Sequence, residues 1–300
     1  MTSISLKNLK KEYKNGKSTI PVLKNISVDF PDTGIIGLLG KNGAGKTTLI
    51  KSCVNLISYS GSISYFGKDL QSISKQHTHY YTALFEGNRN IYWKLTPLEN
   101  IKYFAGLRGI EYSSIKEYTF ELLTLFELEN KTNNLVESLS RGMQQKVALV
   151  IALSFNTPIV YLDEPTLGLD IETRNSLINF FVKNNHIKKQ LLVISSHDLD
   201  FIMAACDTIY LLQNGQLHEY NSNLIQPRFR IKSKTKFFSL ESLEFIKEED
   251  NYFYYDFDLE AINPLSILTN KERDNIISIT NLKYDLEQFY YKSTDQNKKI

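Results

Sequence analysis

Between Gly40 and Thr48 the chain reads GKNGAGKTT, with Gly40, Gly43 and Gly45 in the spacing G-x-x-x-x-G-K-T. Small residues at these positions let a loop curl until its backbone N–H groups point at phosphate oxygens. A helix starting directly afterwards adds positive potential there. Asn42, Gly43, Ala44, Gly45, Lys46, Thr47 and Thr48 are therefore the candidate nucleotide-binding residues. In that arrangement Lys46 reaches the β and γ phosphates and the Thr47 hydroxyl ligates Mg2+.

A second chemical element is IVYLDE, Ile159 to Glu164. Four apolar residues ahead of two carboxylates fit a buried parallel strand whose C-terminal edge delivers Asp163 to a nucleotide. Asp163 would hold Mg2+ directly or through water, and Glu164 would orient an attacking water and accept its proton. The expected cofactors are ATP and Mg2+.

These residues need a scaffold, and the surrounding pattern supplies one. Ile35 to Leu39 reads as a buried strand leading into the glycine loop, and Thr47 to Leu56 as the helix after it. Strands are expected at Ile4–Leu6 and Val22–Phe30, separated by the charged stretch Lys10 to Ser18, with further strand structure around Gly61–Phe66. From Pro97 the spacing turns helical: Leu98, Ile101, Phe104, Ala105 and Leu107 can share one face, and Phe120, Leu123, Phe126 and Leu128 another. This is a helical insertion at about residues 95–150. Strand and helix then alternate through Ile159–Leu162, Ile171–Lys183, Gln190–Ser195, Leu199–Cys206 and Thr208–Leu212. The fold class is α/β, with a nucleotide-binding domain over 1–220 and a small α+β accessory domain over 221–300. Within the latter, strands are expected at Arg228–Ile231, Tyr252–Phe257 and Ile276–Ile279, and helices near Leu240–Ile246 and Asp285–Tyr291.

Composition bounds the partners. A net charge of +2 on 300 residues gives no global attraction to nucleic acid, and none is expected as a partner. The polar N-terminus is not a secretory signal, and no stretch reaches the roughly 20 apolar residues that cross a bilayer. Cys53 and Cys206 are the only cysteines and read as reduced and buried.

With these elements in order, the chain resembles the ATP-binding cassette (ABC) family over nearly all of Ile4 to His218. LSRGMQQKVAL, Leu139 to Leu149, resembles that family's signature motif, although Arg141 and Met143 depart from the commoner Gly and Gln. The resemblance implies a P-loop NTPase core with an antiparallel β subdomain and a helical subdomain. It also implies that Ser140 and Gly142 contact the γ phosphate held by a second cassette, so that the working unit is a homodimer or heterodimer of ATPase subunits. A Ser and a flexible Gly at a helix N-terminus make a small anion site, but one helix cannot easily cap its own distant phosphate loop. By the same resemblance Asp170, in the Gly168-Leu169-Asp170 loop, lies at the dimer interface, His197 bonds the γ phosphate, and Tyr13 stacks on adenine. Glu86 stands where relatives carry a metal-touching glutamine.

The resemblance further implies an ATPase at the cytoplasmic face of the membrane, peripheral and bound to integral membrane permease subunits. Asn88, Arg89, Tyr92, Trp93 and Leu95 combine apolar surface with hydrogen-bonding groups, as a protein contact does. Together with the near match to Leu-Glu-x-x-Phe at Asp285 to Tyr291, this segment points to the antibiotic and multidrug exporter branch. The expected function is thus the ATPase subunit of an exporter. The alternative is a soluble ABC-type ATPase acting in nucleic-acid maintenance or translation, which more often carries coiled-coil insertions or two fused cassettes. A third class, a nonenzymatic nucleotide-dependent binding module, requires ATP binding without phosphate release despite Glu164 and His197.

Overall fold

The computed structural model describes residues 2–16, 18–73, 79–87, 90–188, 190–220, 228–237, 243–258 and 270–282. They fall into two compact units, Met1–Glu219 and Tyr220–Ile300.

The first unit is built on two sheets and a group of helices. The antiparallel sheet runs in the order β2-β1-β4-β5, with β1 Thr2–Asn15, β2 Ser18–Pro31, β4 Ser60–Tyr65 and β5 Lys68–Asp69. Strands β1 and β2 are longer than the alternation at Ile4–Leu6 suggests. The charged stretch after Lys10 stays in strand because Lys11 to Asn15 pair with Leu23 to Ser18, which satisfies the backbone without an apolar face.

The second sheet has the order β10-β9-β3-β8-β7-β6 and holds β3 Gly34–Leu39, β6 Tyr81–Leu84, β7 Ile159–Asp163, β8 Leu191–Ser196, β9 Thr208–Gln213 and β10 Gln216–Tyr220. Its inner strands pair in parallel, β3 with β8 and β9, and β7 with β8 and β6. Every residue of β7 and β8 is buried, as both faces of a parallel sheet require. Helix α1, Lys46–Cys53, follows β3 through the glycine loop and packs in the core with Leu49, Ile50 and Cys53.

The helical region contains α2 Pro97–Leu107, α3 Tyr112–Leu125 and α4 Arg141–Ser154. A reciprocal capping box starts α2: Thr96 Oγ1 accepts from the Glu99 N–H at 3.2 Å, and Glu99 accepts from the Thr96 N–H at 2.8 Å. Two residues placed on inner faces by their spacing are exposed instead, Leu107 and Phe120. The buried stripe of α3 is Ile115, Thr119, Leu122 and Leu123, and Phe120 sits one residue round the helix from it. Helices α5, Ile171–Lys188, and α6, Leu199–Ala205, complete the unit.

The second unit is a four-stranded antiparallel sheet of order β12-β13-β11-β14 with a short helix α7, Asn270–Arg273. Its strands are β11 Arg228–Ser233, β12 Glu244–Glu249, β13 Tyr252–Asp258 and β14 Ile276–Leu282, around a core of Ile231, Phe237 and Tyr255. The helix expected near Leu240–Ile246 is corrected: Glu244 onward forms β12. Asp250 and Asn251, at φ 52° and 65°, make the two-residue turn that folds it back on β13. The helix expected at Asp285–Tyr291 lies outside the described residues.

Candidate functional site

A cleft of about 490 Å³ is lined by Val22, Lys41, Asn42, Gly43, Gly45, Lys46, Thr47, Thr48, Glu86, Glu164, Leu167 and His197. The glycine loop between β3 and α1 forms one wall, and the C-terminal ends of β7 and β8 form another. This is where open α/β sheets collect ligands. Two glycines fix the loop for separate reasons. A Cβ on Gly40 would lie 2.7 Å from the Leu212 carbonyl oxygen, and Gly45 caps α1 with φ 107°, a conformation side chains disfavour. Ala44 closes the turn between them, its N–H donating to the Lys41 carbonyl at 3.0 Å.

Lys46 crosses the loop. Its ammonium donates to the Gly40 carbonyl at 2.7 Å and lies 3.3 Å from Glu164 Oε1. Thr47 Oγ1 donates to Asp163 Oδ2 at 2.7 Å, and Ser195 Oγ donates to Asp163 Oδ1 at 2.5 Å. Both carboxylate oxygens of this fully buried residue are thus engaged by hydroxyls. Glu164 Oε2 accepts from His197 Nδ1 at 2.9 Å. A carboxylate can only accept, so in this contact His197 Nδ1 is the donor. Glu164 Oε1 is buried, and apart from its charge contact with Lys46 it accepts no hydrogen bond among the described residues. Its hydrogen-bond capacity is thus unfilled, although the atom itself is covered.

The oxygens also bear on a metal. Thr47 Oγ1 and Asp163 Oδ2, 2.7 Å apart, match neighbouring corners of an oxygen octahedron with bonds of about 2.0–2.1 Å, whose edge is about 2.9 Å. No group of three His, Cys, Asp or Glu among the described residues is arranged to hold an ion without help. The two oxygens fit an oxygen-ligated ion such as Mg2+ that takes its remaining ligands from elsewhere.

The other candidate residues stand apart from this cleft. Ser140 caps α4, its Oγ accepting from the Met143 N–H at 3.2 Å, and is exposed. A Cβ on Gly142 would sit 3.0 Å from the Gly168 carbonyl oxygen, so the start of α4 runs tightly against the Gly168–Asp170 loop. Asp170 accepts from the Thr173 N–H and hydroxyl, each at 2.8 Å, and these bonds hold its carboxyl below the usual range. Tyr13 is half-exposed on β1 opposite Ile20, with the Lys11 ammonium 4.9 Å from its ring centre; Val22, on the neighbouring strand, lines the cleft.

Three further residues were not singled out from sequence. Ser195, opposite Asp163 in the β7/β8 register, both donates to that carboxylate and accepts from the Glu164 N–H at 3.2 Å. Ser196 Oγ reaches Glu164 Oε2 at 3.5 Å and accepts from the Asp198 N–H at 3.0 Å. The serine pair before His197 was the available signal. Lys146, buried in α4, lies 3.9 Å from Asp170 Oδ2 and 3.8 Å from Glu127 Oε2, tying the helix to that loop. Tyr92 and Trp93 are each nearly half-exposed rather than buried between helices, with Tyr92 edge-on to Tyr103 at 4.8 Å. Asn88 and Arg89 lie outside the described residues.

A family model described as "ABC transporter" matches residues 23–167. The ABC transporter ATP-binding protein NatA of Bacillus subtilis (strain 168) is 30% identical over 215 residues, 71% of this chain and 87% of that protein. The methionine import ATP-binding protein MetN of Francisella tularensis subsp. holarctica (strain OSU18) is 32% identical over 227 residues, 74% of this chain. That match covers 64% of MetN, under two thirds of its length. Among solved structures, a dimeric ATP-binding cassette bound to ADP and Pi superimposes with a TM-score of 0.66 at 26% identity, over 73% of this chain and 98% of that one. The exporter branch expected from sequence is overturned by the methionine-import relatives. The segment that suggested it presents Tyr92 and Trp93 at the surface, and its supposed C-terminal companion lies outside the described residues.

Proposed function

The chain belongs to the ATP-binding proteins of ABC transporters, its first unit being an ATP-binding and ATP-hydrolysing domain, and on that premise we propose that it powers solute import through separate membrane subunits. The names of the methionine-import relatives support import. No described helix is long and apolar enough to cross a membrane; the family relation is what supports a peripheral position on the cytoplasmic face.

One observation carries the catalytic reading: Lys46, Thr47, Glu164 and His197 line one cleft, with the buried Asp163 bonded to Thr47, while Ser140 and Gly142 are not among its lining residues. Loop N–H groups and Lys46 bind the phosphates. Thr47 and Asp163 would hold Mg2+, with Glu86 also lining the cleft. When bound, Mg2+ neutralises charge on the β and γ phosphates. Glu164 Oε1 takes the proton of the attacking water, and His197 orients Glu164 through Oε2 and addresses the γ phosphate. Tyr13, on the sheet that supplies Val22, stacks on the adenine. The exposed Ser140 cap and Gly142 complete the site of a second copy, with Asp170 holding the loop between them. Two cassettes thereby close on two ATP molecules and reopen after hydrolysis, moving the attached membrane subunits.

The test is recovery of the chain with its integral membrane partner from native membranes, followed by transport of labelled amino acids in proteoliposomes. ATP on the cassette side is expected to draw solute toward that side. Movement away from it overturns import, and recovery of ribosomes or nucleic acid without a membrane subunit overturns transport.

A further inference from the structure

The buried tyrosines behind the phosphate loop have no part in the site just described. Helix α1 is only eight residues long, about 12 Å, and carries both Lys46 and Thr47. Its last carbonyls have no partner within the helix, and burying them unpaired would be costly. Two tyrosines from different sheets cap them: Tyr65 of β4 donates to the Cys53 carbonyl at 2.5 Å, and Tyr81 of β6 donates to the Val54 carbonyl at 2.8 Å. The Tyr65 and Tyr161 hydroxyl oxygens are 2.8 Å apart. Tyr65 has one proton and a carbonyl can only accept, so that proton goes to Cys53 and Tyr161 must be the donor in the second bond. The direction is therefore fixed, from Tyr161 to Tyr65 to the end of α1.

Tyr161 lies on β7 two residues before Asp163, so the two side chains leave the same face of the strand. Asp163 takes Thr47 at the front of α1 while Tyr161, through Tyr65, takes the back. Tyr65, Tyr161 and Cys53 are essentially without exposure, and burial pushes both hydroxyls well above the usual tyrosine range and the Cys53 thiol up to about 12.

We infer that Tyr161 and Tyr65 are positioning residues for ATP hydrolysis, clamping the rear of α1 to the strand that bears Asp163 so that Lys46 and Thr47 are held against the phosphates. The inference rests on the phosphate-site reading above. Glu164 and His197 are carried by β7 and β8, not by α1. Loosening α1 therefore acts first on the hold over bound Mg·ATP, which raises KM more than it lowers kcat.

Steady-state hydrolysis by the full chain with Mg·ATP tests this in Tyr65→Phe and Tyr161→Phe. Tyr65→Phe orphans the Cys53 carbonyl, and its KM is expected to rise about threefold to tenfold, the span of one net hydrogen bond. Tyr161→Phe leaves that carbonyl capped and is expected to rise about twofold to threefold, with kcat in both within about twofold. Thr119→Val, which removes a buried hydroxyl bond to Ser154 in the helical region, is the control. It should lower Tm and leave KM unchanged. The inference is overturned if Tyr65→Phe matches Thr119→Val in KM, or if kcat falls alone. Lys46→Ala in parallel separates the readings: unchanged nucleotide affinity there removes the phosphate site itself, while lost affinity with unmoved tyrosine variants removes only the clamp.

Discussion

Replacing Glu164 by Gln isolates the proton-accepting role from geometry. The amide keeps the length of the side chain and can still take the His197 Nδ1 proton over the 2.9 Å contact. It loses basicity at the unbonded oxygen Oε1 and the charge that faces Lys46 at 3.3 Å. A positioned general base is worth about 10²–10⁴ in rate, so phosphate release at saturating Mg·ATP should fall at least about a hundredfold. Affinity should move the other way. At an effective dielectric of about 20, the Lys46–Glu164 attraction is about 5 kcal/mol gross, most of it offset by desolvation of two buried charges. If about 1.4 kcal/mol survives, freeing Lys46 for phosphate tightens ATP binding about tenfold. The assay pairs phosphate release with equilibrium binding of a fluorescent ATP analogue, and sedimentation tests for an ATP-held dimer. Turnover within about threefold of the parent would refute Glu164 as the base. A hundredfold loss of affinity would instead show that the substitution had damaged the phosphate site.

Two further outcomes follow from the segment outside the cleft. Gly142→Ala brings a methyl to 3.0 Å from the Gly168 carbonyl and forces α4 or the facing loop to give. Overpacking of this kind costs about 1–3 kcal/mol, so ATP-dependent dimerisation should weaken about tenfold or more while single-copy ATP affinity stays unchanged. Asp170 has a lowered carboxyl pKa from its Thr173 bonds. Its contribution to stability is thus fully present above the ordinary Asp value of about 3.9 and is lost as pH falls through the lowered folded value. Melting temperature followed from pH 5 downward should show that acid-side loss in the parent and not in Asp170→Asn, where the cap is kept without a titrating group.

Much of the site was legible because its chemistry is local. Gly40 to Thr48 encode their own turn and helix start, and Ile159 to Asp163 announce a strand buried on both faces, so Lys46, Thr47 and Asp163 could be named from spacing alone. What was not legible depends on which strands become neighbours. Ser195 matters because β8 lies beside β7 in the register that sets it opposite Asp163, and no spacing within either strand reports that. Tyr65 and Tyr161, 96 positions apart, meet only after two sheets close over α1. The misread at Leu240–Ile246 has the opposite origin: the turn-forming pair Asp250-Asn251 was a local signal, and it outweighs the apolar spacing before it.

The transition from Asp163 to Glu164 shows why two adjacent carboxylates can divide the work. Along an extended strand successive side chains leave opposite faces, so a continued β7 would send Asp163 toward α1 and Glu164 away from the cleft. The chain instead turns left-handed at Glu164, with φ 50°, at a cost of about 1–2 kcal/mol for a residue with a Cβ. Ser195 supports that turn, since its carbonyl and hydroxyl accept the Glu164 N–H at 3.1 and 3.2 Å while its own proton goes to Asp163. One residue of β8 thereby fixes both the Asp163 carboxylate and the backbone turn that aims Glu164. A strand ending in Asp-Glu therefore becomes a nucleotide site only when its neighbour can hold the strained turn, which makes the serine before Ser196 and His197 as much a part of the sequence signature as the acids.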